Sequence, residues 1–244
     1  MKIIQANIWY GKFGQEITDF LSSEAPDFVC MQEVNDLKGK AAGNFFATLD
    51  EIKDRAGFAH AFMSPLYSYR YMEREMPYGN AILSKLPFAR TDTIFIRGAF
   101  MAGLDAMKHD SNIRNLQHGT VDINGTMLHI LNHHGHHIHG SKAGDEETLR
   151  QMRIIAEMVG SLEGPVILCG DFNLAPDSQS LAVLNDKLTN LSISNGLKRT
   201  YNQFSRVQEV CDYIFVNDQI KVRRFEMPET VISDHKPLIL EFDL

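Results

Sequence analysis

The stretch from Val166 to Asn173 reads VILCGDFN. Its first part, Val166–Gly170, carries no charge, and an apolar run of this length predicts a buried strand. Asp171 and Asn173 follow where that strand ends. Before it, apolar residues at helical spacing predict a helix over Glu146–Leu162, which Gly164-Pro165 ends. A helix that leads into a buried strand with a polar end is the unit from which an α/β fold is built.

The same kind of strand-like run recurs through the chain. Helices are predicted over about Gln15–Glu24 and Asn44–Ala56, with a shorter one near Ser178–Leu188. Asn124-Gly125 marks a hairpin turn. The other predicted strands are rich in Val, Ile and Phe; they are Lys2–Ile8, Asp27–Gln32, Ala59–Met63, Asn80–Ser84, Thr93–Ile96, Gly119–Ile123, Met127–Asn132, Asp212–Val216, Lys221–Phe225 and Leu238–Phe242.

This order of elements bears on the fold class. Strands joined both by hairpins and by helical crossovers favour an α/β sandwich of two packed mixed sheets flanked by helices, rather than a single parallel sheet. The first and last predicted strands lie at the two ends of the sequence, and no linker separates its halves. Residues 1–244 are therefore predicted to form a single domain.

Composition and charge exclude several classes of protein. The chain has 24 Lys and Arg against 31 Asp and Glu, a net charge of −7. Proteins that hold long duplex DNA through its phosphates carry a basic excess, so tight nonspecific DNA binding is not expected. Cys30, Cys169 and Cys211 lie in apolar stretches and are predicted to be buried reduced thiols. No run is long enough to cross a membrane and no secretion signal begins the chain, which predicts a cytoplasmic monomer without membrane insertion.

Polar side chains that can do chemistry stand at one end of six different predicted strands. Strand ends are often polar simply because loops begin there. A mixture of carboxylates, amides and imidazoles at six ends is better explained by a common binding site at one end of the sandwich. The set comprises Asn7, Gln32, Glu33, Asn132, His133, His134, Asp171, Asn173, Asp212, Asp234 and His235.

Seven motifs at these positions resemble, in the same order, the endonuclease/exonuclease/phosphatase superfamily with its DNase-I-like fold. The resemblance implies a four-layered α/β sandwich and hydrolysis of a phosphoester with a divalent metal. The motifs cover the chain from Asn7 to His235; they are Ala6-Asn7-Ile8, Met31-Gln32-Glu33, Tyr78–Ser84, Asn132-His133-His134, Gly170–Asn173, Asp212–Phe215 and Ser233-Asp234-His235.

The metal expected from this resemblance is Mg²⁺ or Mn²⁺. Glu33 offers the hard oxygen ligand that these cations prefer. The resemblance places the metal on Glu33, with Asn7 and Asp234 bound to it or close to it. Some nucleases of the superfamily have an acidic residue where this chain has Trp9. That difference favours one metal ion over two.

The resemblance also implies roles for the remaining polar residues. Asp171 would orient and deprotonate the attacking water, and Asn173 would fix the position of that water. The imidazole of His235 would contact the phosphate while Asp212 orients its ring. His134 would donate to a phosphate oxygen or help the leaving group, supported by Asn132. The predicted substrate-binding residues are Asn132, Trp9, Tyr78 and Arg114, and the rings of Trp9, Tyr10 and Tyr78 could stack on a planar group.

Substrate class is the open part of this interpretation. A phosphodiester of nucleic acid is favoured by the aromatic residues, whereas the acidic charge favours a small phosphorylated molecule or a lipid headgroup. A noncatalytic binding module would not need the complete set of acidic and imidazole groups. The segment Arg97–His118, locally basic, is predicted to be the specificity loop. The stretch Asn132–Gly140 reads NHHGHHIHG and is either a loop beside the site or a metal-binding run of its own.

Overall fold

Two six-stranded sheets carry most of the chain in the computed structural model, which describes residues 1–37, 46–71 and 73–244. A single 3₁₀ turn, Trp9–Gly11, follows the first strand. The helices are α1 (Gly14–Glu24), α2 (Leu49–Arg55), α3 (Glu146–Ser161), α4 (Gln179–Ala182) and α5 (Leu191–Ser194). The strands are β1 (Lys2–Asn7), β2 (Phe28–Asn35), β3 (His60–Tyr71), β4 (Arg74–Ser84), β5 (Arg90–Arg97), β6 (Arg114–Ile123), β7 (Thr126–His134), β8 (Val166–Asp171), β9 (Thr189–Asn190), β10 (Asp212–Val216), β11 (Lys221–Glu226) and β12 (Leu238–Asp243).

Both sheets are mixed, as the sequence predicts. The first has the strand order β11-β12-β1-β2-β4-β3, and the second has the order β5-β6-β7-β8-β10-β9. Each contains one parallel pair, β1 with β2 and β7 with β8, beside antiparallel neighbours. In the second sheet, the pairing of β8 with both β7 and β10 sets His134 and Asp212 opposite Asp171. Strand register thus brings polar residues that are distant in sequence to the same end of the second sheet.

Three apolar interfaces separate four layers. One lies between the first sheet and the helices α1 and α2, with Ile17 and Ile52 at its centre. The second lies between the two sheets, where Phe28 of one sheet shares a cluster with Ile167 of the other. The third lies between the second sheet and α3, which contributes Ile155. The fold is therefore the four-layered α/β sandwich that the sequence predicts, and its three cysteines are buried and unpaired, also as predicted.

The layer between the sheets becomes steadily more polar toward one end. Because side chains alternate across a strand, every second residue of β1 faces the other sheet. Along β1 these are Ile3, Gln5 and Asn7, and along β8 the series ends in Asp171. The apolar cluster thus changes into a set of buried amides and then into charged groups.

The buried amides form a continuous hydrogen-bonded set. Gln32 Nε2 donates to Asn132 Oδ1 at 2.7 Å, and Asn132 Nδ2 donates to Gln117 Oε1 at 3.0 Å. Gln5 Nε2 donates to Gln32 Oε1 at 3.2 Å and to Asp212 Oδ1 at 2.9 Å. All four amide side chains are 0% exposed. Amides can be buried at this depth because their partners replace water.

The largest difference from the sequence prediction is the length of β3 and β4. The sequence predicts strands only at Ala59–Met63 and Asn80–Ser84, yet the two strands pair from His60 opposite Ser84 to Tyr71 opposite Arg74. Their extended halves are rich in Tyr, Arg and Glu and show no regular alternation of apolar and polar residues. Pairing with each other and packing beside the cleft, rather than amphipathic patterning, keep these residues extended.

The predicted specificity loop Arg97–His118 is partly strand. Arg97 ends β5, while Arg114–His118 begin β6, in which Asn115 and Gln117 are fully buried. The prediction of a loop, made from the basic enrichment of the segment, was therefore wrong for Arg114–His118, whose polar residues lie in a strand. In this strand they are hydrogen-bonded between the sheets instead.

Helix boundaries differ at two places. The predicted helix Asn44–Ala56 starts in residues that lie outside the described part of the chain, and α2 begins only at Leu49, after a capping box of Thr48 and Glu51. The helix predicted near Ser178–Leu188 is limited to the four residues of α4, capped by the Ser178 side chain. The strand β9, which the sequence does not predict, is a two-residue edge.

The amide set gives a stability prediction. Asn132 Nδ2 also donates to the main-chain carbonyls of Met31 and Ala81, so Asn132→Ala leaves several buried groups without partners. We expect the free energy of unfolding to fall by roughly 2–4 kcal/mol. Urea denaturation at an unchanged m-value measures this loss, and Asn185→Ala, at an exposed asparagine, is the control and should stay within about 0.5 kcal/mol. A wild-type midpoint for Asn132→Ala would contradict the structural role.

Candidate active site

A cleft of about 990 Å³ opens at the polar end of the layer between the sheets. Its floor consists of the ends of β2, β7 and β8 and the segment before β12. Several tyrosines and the segments 137–143 and 205–209 also line it. Residues that line it include Tyr10, Glu33, Tyr67, Tyr78, Arg114, His134, Lys142, Asp171, Asn173, Tyr201, Asp234 and His235.

Glu33 reaches the cleft because β2 is irregular at this point. The pairing of β2 with β4 shifts between Met31 and Val34, and Glu33 has a φ of 58°. A left-handed backbone at a residue other than glycine costs about 1–3 kcal/mol and is concentrated at functional sites. Burial raises the pKa of Glu33 to about 7, although the Asn7 hydrogen bond and the charge of His235 oppose that rise.

Asn7 lies between two carboxylates. Its Nδ2 donates to Glu33 Oε1 and to Asp171 Oδ2, each at 3.2 Å. Its Oδ1 accepts the Trp9 main-chain N–H at 3.1 Å, which fixes the orientation of the amide. In this arrangement Asn7 presents hydrogen-bond donors to the carboxylates and joins the two acids into one unit.

Asp171 is flanked by two histidines. Its Oδ2 lies 3.7 Å from His134 Nε2 and 3.8 Å from His235 Nε2. Its Oδ1 accepts the Asn173 main-chain N–H at 2.9 Å. Burial alone raises the pKa of Asp171, but His235, followed by His134 and Lys142, brings it below its ordinary value. Asp171 is therefore ionised at neutral pH although it is buried.

His235 forms a short pair with Asp212. The distance from its Nδ1 to Asp212 Oδ2 is 2.8 Å, and the other carboxylate oxygen accepts from Gln5. Burial lowers the pKa of His235, but the carboxylates of Asp212 and Asp171 more than compensate and raise it to about 10. The ring is an imidazolium at neutral pH, with Nε2 directed toward Asp171.

His134, in contrast to His235, is a neutral imidazole at neutral pH. Burial, followed by the nearby Arg114 guanidinium, holds the pKa of His134 well below its ordinary range. Among the described residues, its Nδ1 has no hydrogen-bond partner. Asp171 thus faces one protonated and one neutral imidazole. Titratable groups whose environments separate their pKa values in this way are typical of acid–base sites.

The donor set fits a hard divalent cation. Ligand atoms of Asp171, Asp212 and His235 lie within 4.8 Å of one another, although both oxygens of Asp212 are already hydrogen-bonded. Glu33 and Asp234 also line the cleft, and Asp234 is partly exposed. Several carboxylates with no cysteine among them correspond to the oxygen ligands of Mg²⁺ or Mn²⁺.

Of the four predicted substrate-binding residues, two line the cleft and two do not. Tyr78 and Arg114 line the cleft. The ring of Trp9 does not: it packs against Phe13 and Phe204, at centroid distances of 6.2 and 6.4 Å.

Asn132 is 0% exposed within the amide set and is not among the residues that line the cleft, so its hydrogen bonds support the interior. The main-chain carbonyls of Ile113 and Gly135 accept from the Arg114 guanidinium, which leaves Arg114 as a fixed buried charge.

Sequence reasoning missed several residues of the cleft. Tyr10, Tyr78 and Tyr67 form a stack with centroid distances of 5.1 and 4.8 Å, but Tyr67 falls in a part of β3 that the sequence does not predict as strand. Tyr201 packs on the His235 ring at 4.1 Å. Lys142 follows the histidine-rich stretch and is 9% exposed. No motif marks Tyr67, Tyr201 or Lys142, and only the spatial convergence of separate segments identifies them.

Comparison with known families agrees with this geometry. A family model described as the endonuclease/exonuclease/phosphatase family matches residues 4–235. The chain belongs to this family. No protein of curated function matches the sequence significantly. The resemblance seen in the seven motifs is thereby confirmed, and the members of the family are phosphoester hydrolases.

Solved structures show the same fold at low sequence identity. An endonuclease/exonuclease/phosphatase from Bacteroides vulgatus has a TM-score of 0.76 and 17% identity, covering 100% of this chain and 98% of the other. A mannosyl-6-phosphatase from Bacteroides thetaiotaomicron has a TM-score of 0.72 and 15% identity, with 100% of both chains covered. TDP2 from D. rerio, complexed with a single-strand DNA product, has a TM-score of 0.72 and 17% identity, covering 100% of this chain and 99% of the other. Family members with this fold thus include proteins with different substrates.

The Asp212–His235 pair gives a prediction for pH dependence. Because the pKa of His235 is raised from about 6.5 to about 10, the pair contributes stability that is complete below pH 6.5. This contribution is lost as the pH rises through about 10. Asp212→Asn removes the carboxylate while burial remains, so the pKa of His235 should fall by about 1–3 pH units.

Nitrogen NMR of the imidazole in metal-free protein measures this titration. Asp186→Asn removes an exposed carboxylate and is the control, with no change expected in His235. A wild-type His235 that titrates near 6.5 would show that the pair is not ionic.

Proposed function

We propose that this protein is a divalent-metal-dependent phosphoester hydrolase that cleaves a phosphodiester, in the manner of a nuclease, by attack of water. The observation that carries the proposal is the position of Asp171. One of its oxygens lies 3.7–3.8 Å from a neutral and a protonated histidine, and the same oxygen is joined through Asn7 to Glu33. A base, charged donors and a cation site thereby share one cleft.

Mg²⁺ or Mn²⁺ is the proposed cofactor. Glu33 would hold it, with Asp234 as a further or water-mediated ligand and Asn7 keeping the carboxylate in place. When bound, the cation neutralises phosphate charge and stabilises the oxygen of the leaving group. The raised pKa of Glu33 agrees with this role, because an anionic group in a dry site is stabilised by a nearby cation.

The chain's own residues supply the other steps. Asp171 is ionised and can orient a water molecule and accept its proton, while Asn173 fixes the position of that water. The Nε2–H of His235 points into the cleft and can donate to a phosphate oxygen as negative charge develops. His134 is a neutral donor on the other side of Asp171. A noncatalytic module would not require one protonated and one neutral histidine beside the same carboxylate.

A phosphodiester is favoured by the wall of stacked tyrosines. Tyr10 is 41% exposed and is the outer ring of the stack, beside Glu33. An aromatic face next to the reacting phosphate suits a base or another planar group of the substrate. The D. rerio TDP2 structure contains single-strand DNA product, whereas the net charge of −7 argues here for a short contact with nucleic acid.

A phosphatase or phosphodiesterase acting on a small phosphorylated molecule or a lipid headgroup is the second candidate. The buried cations Arg114 and Lys142 favour it, because two fixed positive charges suit a doubly charged phosphomonoester. The cleft volume of about 990 Å³ corresponds to a small-molecule site. One structural neighbour is a mannosyl-6-phosphatase.

The metal requirement is tested at Glu33. We expect excess EDTA to abolish turnover and Mg²⁺ or Mn²⁺ to restore it. Glu33→Gln removes an anionic ligand and should lower kcat by on the order of 10² or more. Calorimetry of Mn²⁺ binding should show weaker affinity in the same variant, and Glu16→Gln at the exposed start of α1 is the control. Full activity in EDTA would contradict the proposal.

The substrate class is tested with a panel and a salt series. The panel compares bis(p-nitrophenyl) phosphate with p-nitrophenyl phosphate, and also includes DNA, RNA, abasic DNA, sphingomyelin and phosphoinositides. We expect the diester to be preferred, with a slope of log K against log salt of about −2 to −3 for nucleic acid, which corresponds to two or three phosphate contacts. A slope of about −6 would reveal a long basic groove, and preference for monoesters would select the second candidate.

A further inference from the structure

The histidine-rich stretch Asn132–Gly140 and the residues just after it contact the site through Asn173. The side-chain oxygen of Asn173 accepts a hydrogen bond from Lys142 Nζ, and His137 Nδ1 lies 3.2 Å from the same oxygen. Lys142 is 9% exposed, and its ammonium also helps to hold the pKa of Asp171 low. A buried lysine on one amide oxygen restricts that amide to one orientation.

The orientation follows from donor and acceptor chemistry. A lysine ammonium has only hydrogens to offer, so the atom that faces it is the amide oxygen of Asn173. The amide nitrogen therefore lies on the other side, where it makes a long contact of 3.4 Å with the buried Gly135 carbonyl. Without Lys142, rotation of the amide by 180° would exchange the two atoms and present an acceptor to the substrate.

We propose that Lys142 is a positioning residue that occupies the carboxamide oxygen of Asn173, so that of this cleft-lining amide only the NH₂ group is left to contact the reacting phosphate or the attacking water. Asn173 then acts as a donor to an oxygen atom and not as an acceptor. This assignment rests on the proposed hydrolase function for its catalytic meaning, but the orientation itself rests only on the hydrogen bonds of the chain.

The main chain around Lys142 is fixed well enough to serve this purpose. The Lys142 carbonyl accepts the Ala175 N–H at 2.7 Å, and the Gly135 N–H donates to the Asp171 carbonyl at 2.7 Å. A Cβ at Gly135 would lie 2.0 Å from the Phe172 carbonyl oxygen, so only glycine allows this approach. The histidine-rich stretch is thus attached on both sides to the strand end that carries Asp171 and Asn173.

The orientation is tested without any activity measurement. Nitrogen–proton NMR identifies the side-chain NH₂ of Asn173 by its absence in Asn173→Ala. We expect one well-resolved pair of signals in the wild type, and a shifted or exchange-broadened pair in Lys142→Met. Lys142→Arg keeps a cationic donor and should restore most of the wild-type pattern. Lys85→Met, at a surface lysine bonded to the Ala25 carbonyl, is the matched control and should change nothing.

The catalytic role is tested by a double-mutant cycle with the best diester of the panel. Lys142→Met should lower kcat by about 10- to 100-fold with little change in KM, because ground-state contacts are retained. In an Asn173→Ala background the same substitution should add less than about threefold, since the residue through which it acts is gone. Lys142→Arg should recover part of kcat, and thermal midpoints of all variants identify any that fail to fold.

The experiments distinguish failure of the Lys142 proposal from failure of the proposed hydrolase function. Losses that multiply in the double mutant, or a large rise in KM for Lys142→Met, would show that Lys142 binds the phosphate directly and would overturn the proposal. An unchanged Asn173 NH₂ signal in Lys142→Met would overturn it as well, independently of turnover. A wild-type protein without metal-dependent hydrolysis on the whole panel would instead contradict the proposed function and leave the NMR result to decide the orientation.

Discussion

The cleft depends on the hydrogen-bonded amides buried between the two sheets. A sandwich filled only with apolar side chains would bring carboxylates directly against hydrocarbon, where an ionised group is strongly disfavoured. Here Gln5, one of the buried amides, donates to Asp212, and Asn7 donates to Glu33 and Asp171. These polar contacts let ionised groups lie at the end of a dry core, and the same contacts fix the distances between strands of opposite sheets.

Electrostatic differences within the cleft come from placement and not from residue type. His134 and His235 are both about 6% exposed and both lie beside Asp171, yet their pKa values are displaced in opposite directions. The neighbour decides the outcome: Asp212 is bonded to His235, whereas Arg114 faces His134. Asp171 therefore lies between a ring that carries a positive charge and a ring that is neutral.

The sequence predicts the layers and the strand-end residues well, because alternation and apolar runs determine which faces are buried. It predicts poorly where polar residues are buried or where loops converge. Asparagine is a polar residue that is usually exposed, yet Asn132 lies in the interior. It can do so because Gln32 and Gln117, from two other strands, form hydrogen bonds with its side chain. Tyr67 and Lys142 reach the cleft through a hairpin and a loop whose course no local pattern encodes. The motifs therefore identify the family more readily than the residues that complete the lining of the cleft.

The irregularity in β2 has an evolutionary consequence. Val29 and Met31 face the helices, and Val34 faces them too, so an odd step in the alternation occurs between Met31 and Val34 and turns Glu33 toward the cleft. The side of the sheet on which the Glu33 carboxylate lies therefore depends on whether the number of residues between Met31 and Val34 is odd or even. Loss of one residue between Met31 and Val34 would remove this irregularity and change the register of every residue on one side of it, whereas a substitution there leaves the register unchanged. Divergence within such a lineage is expected to spare the length of this segment even where its residues vary.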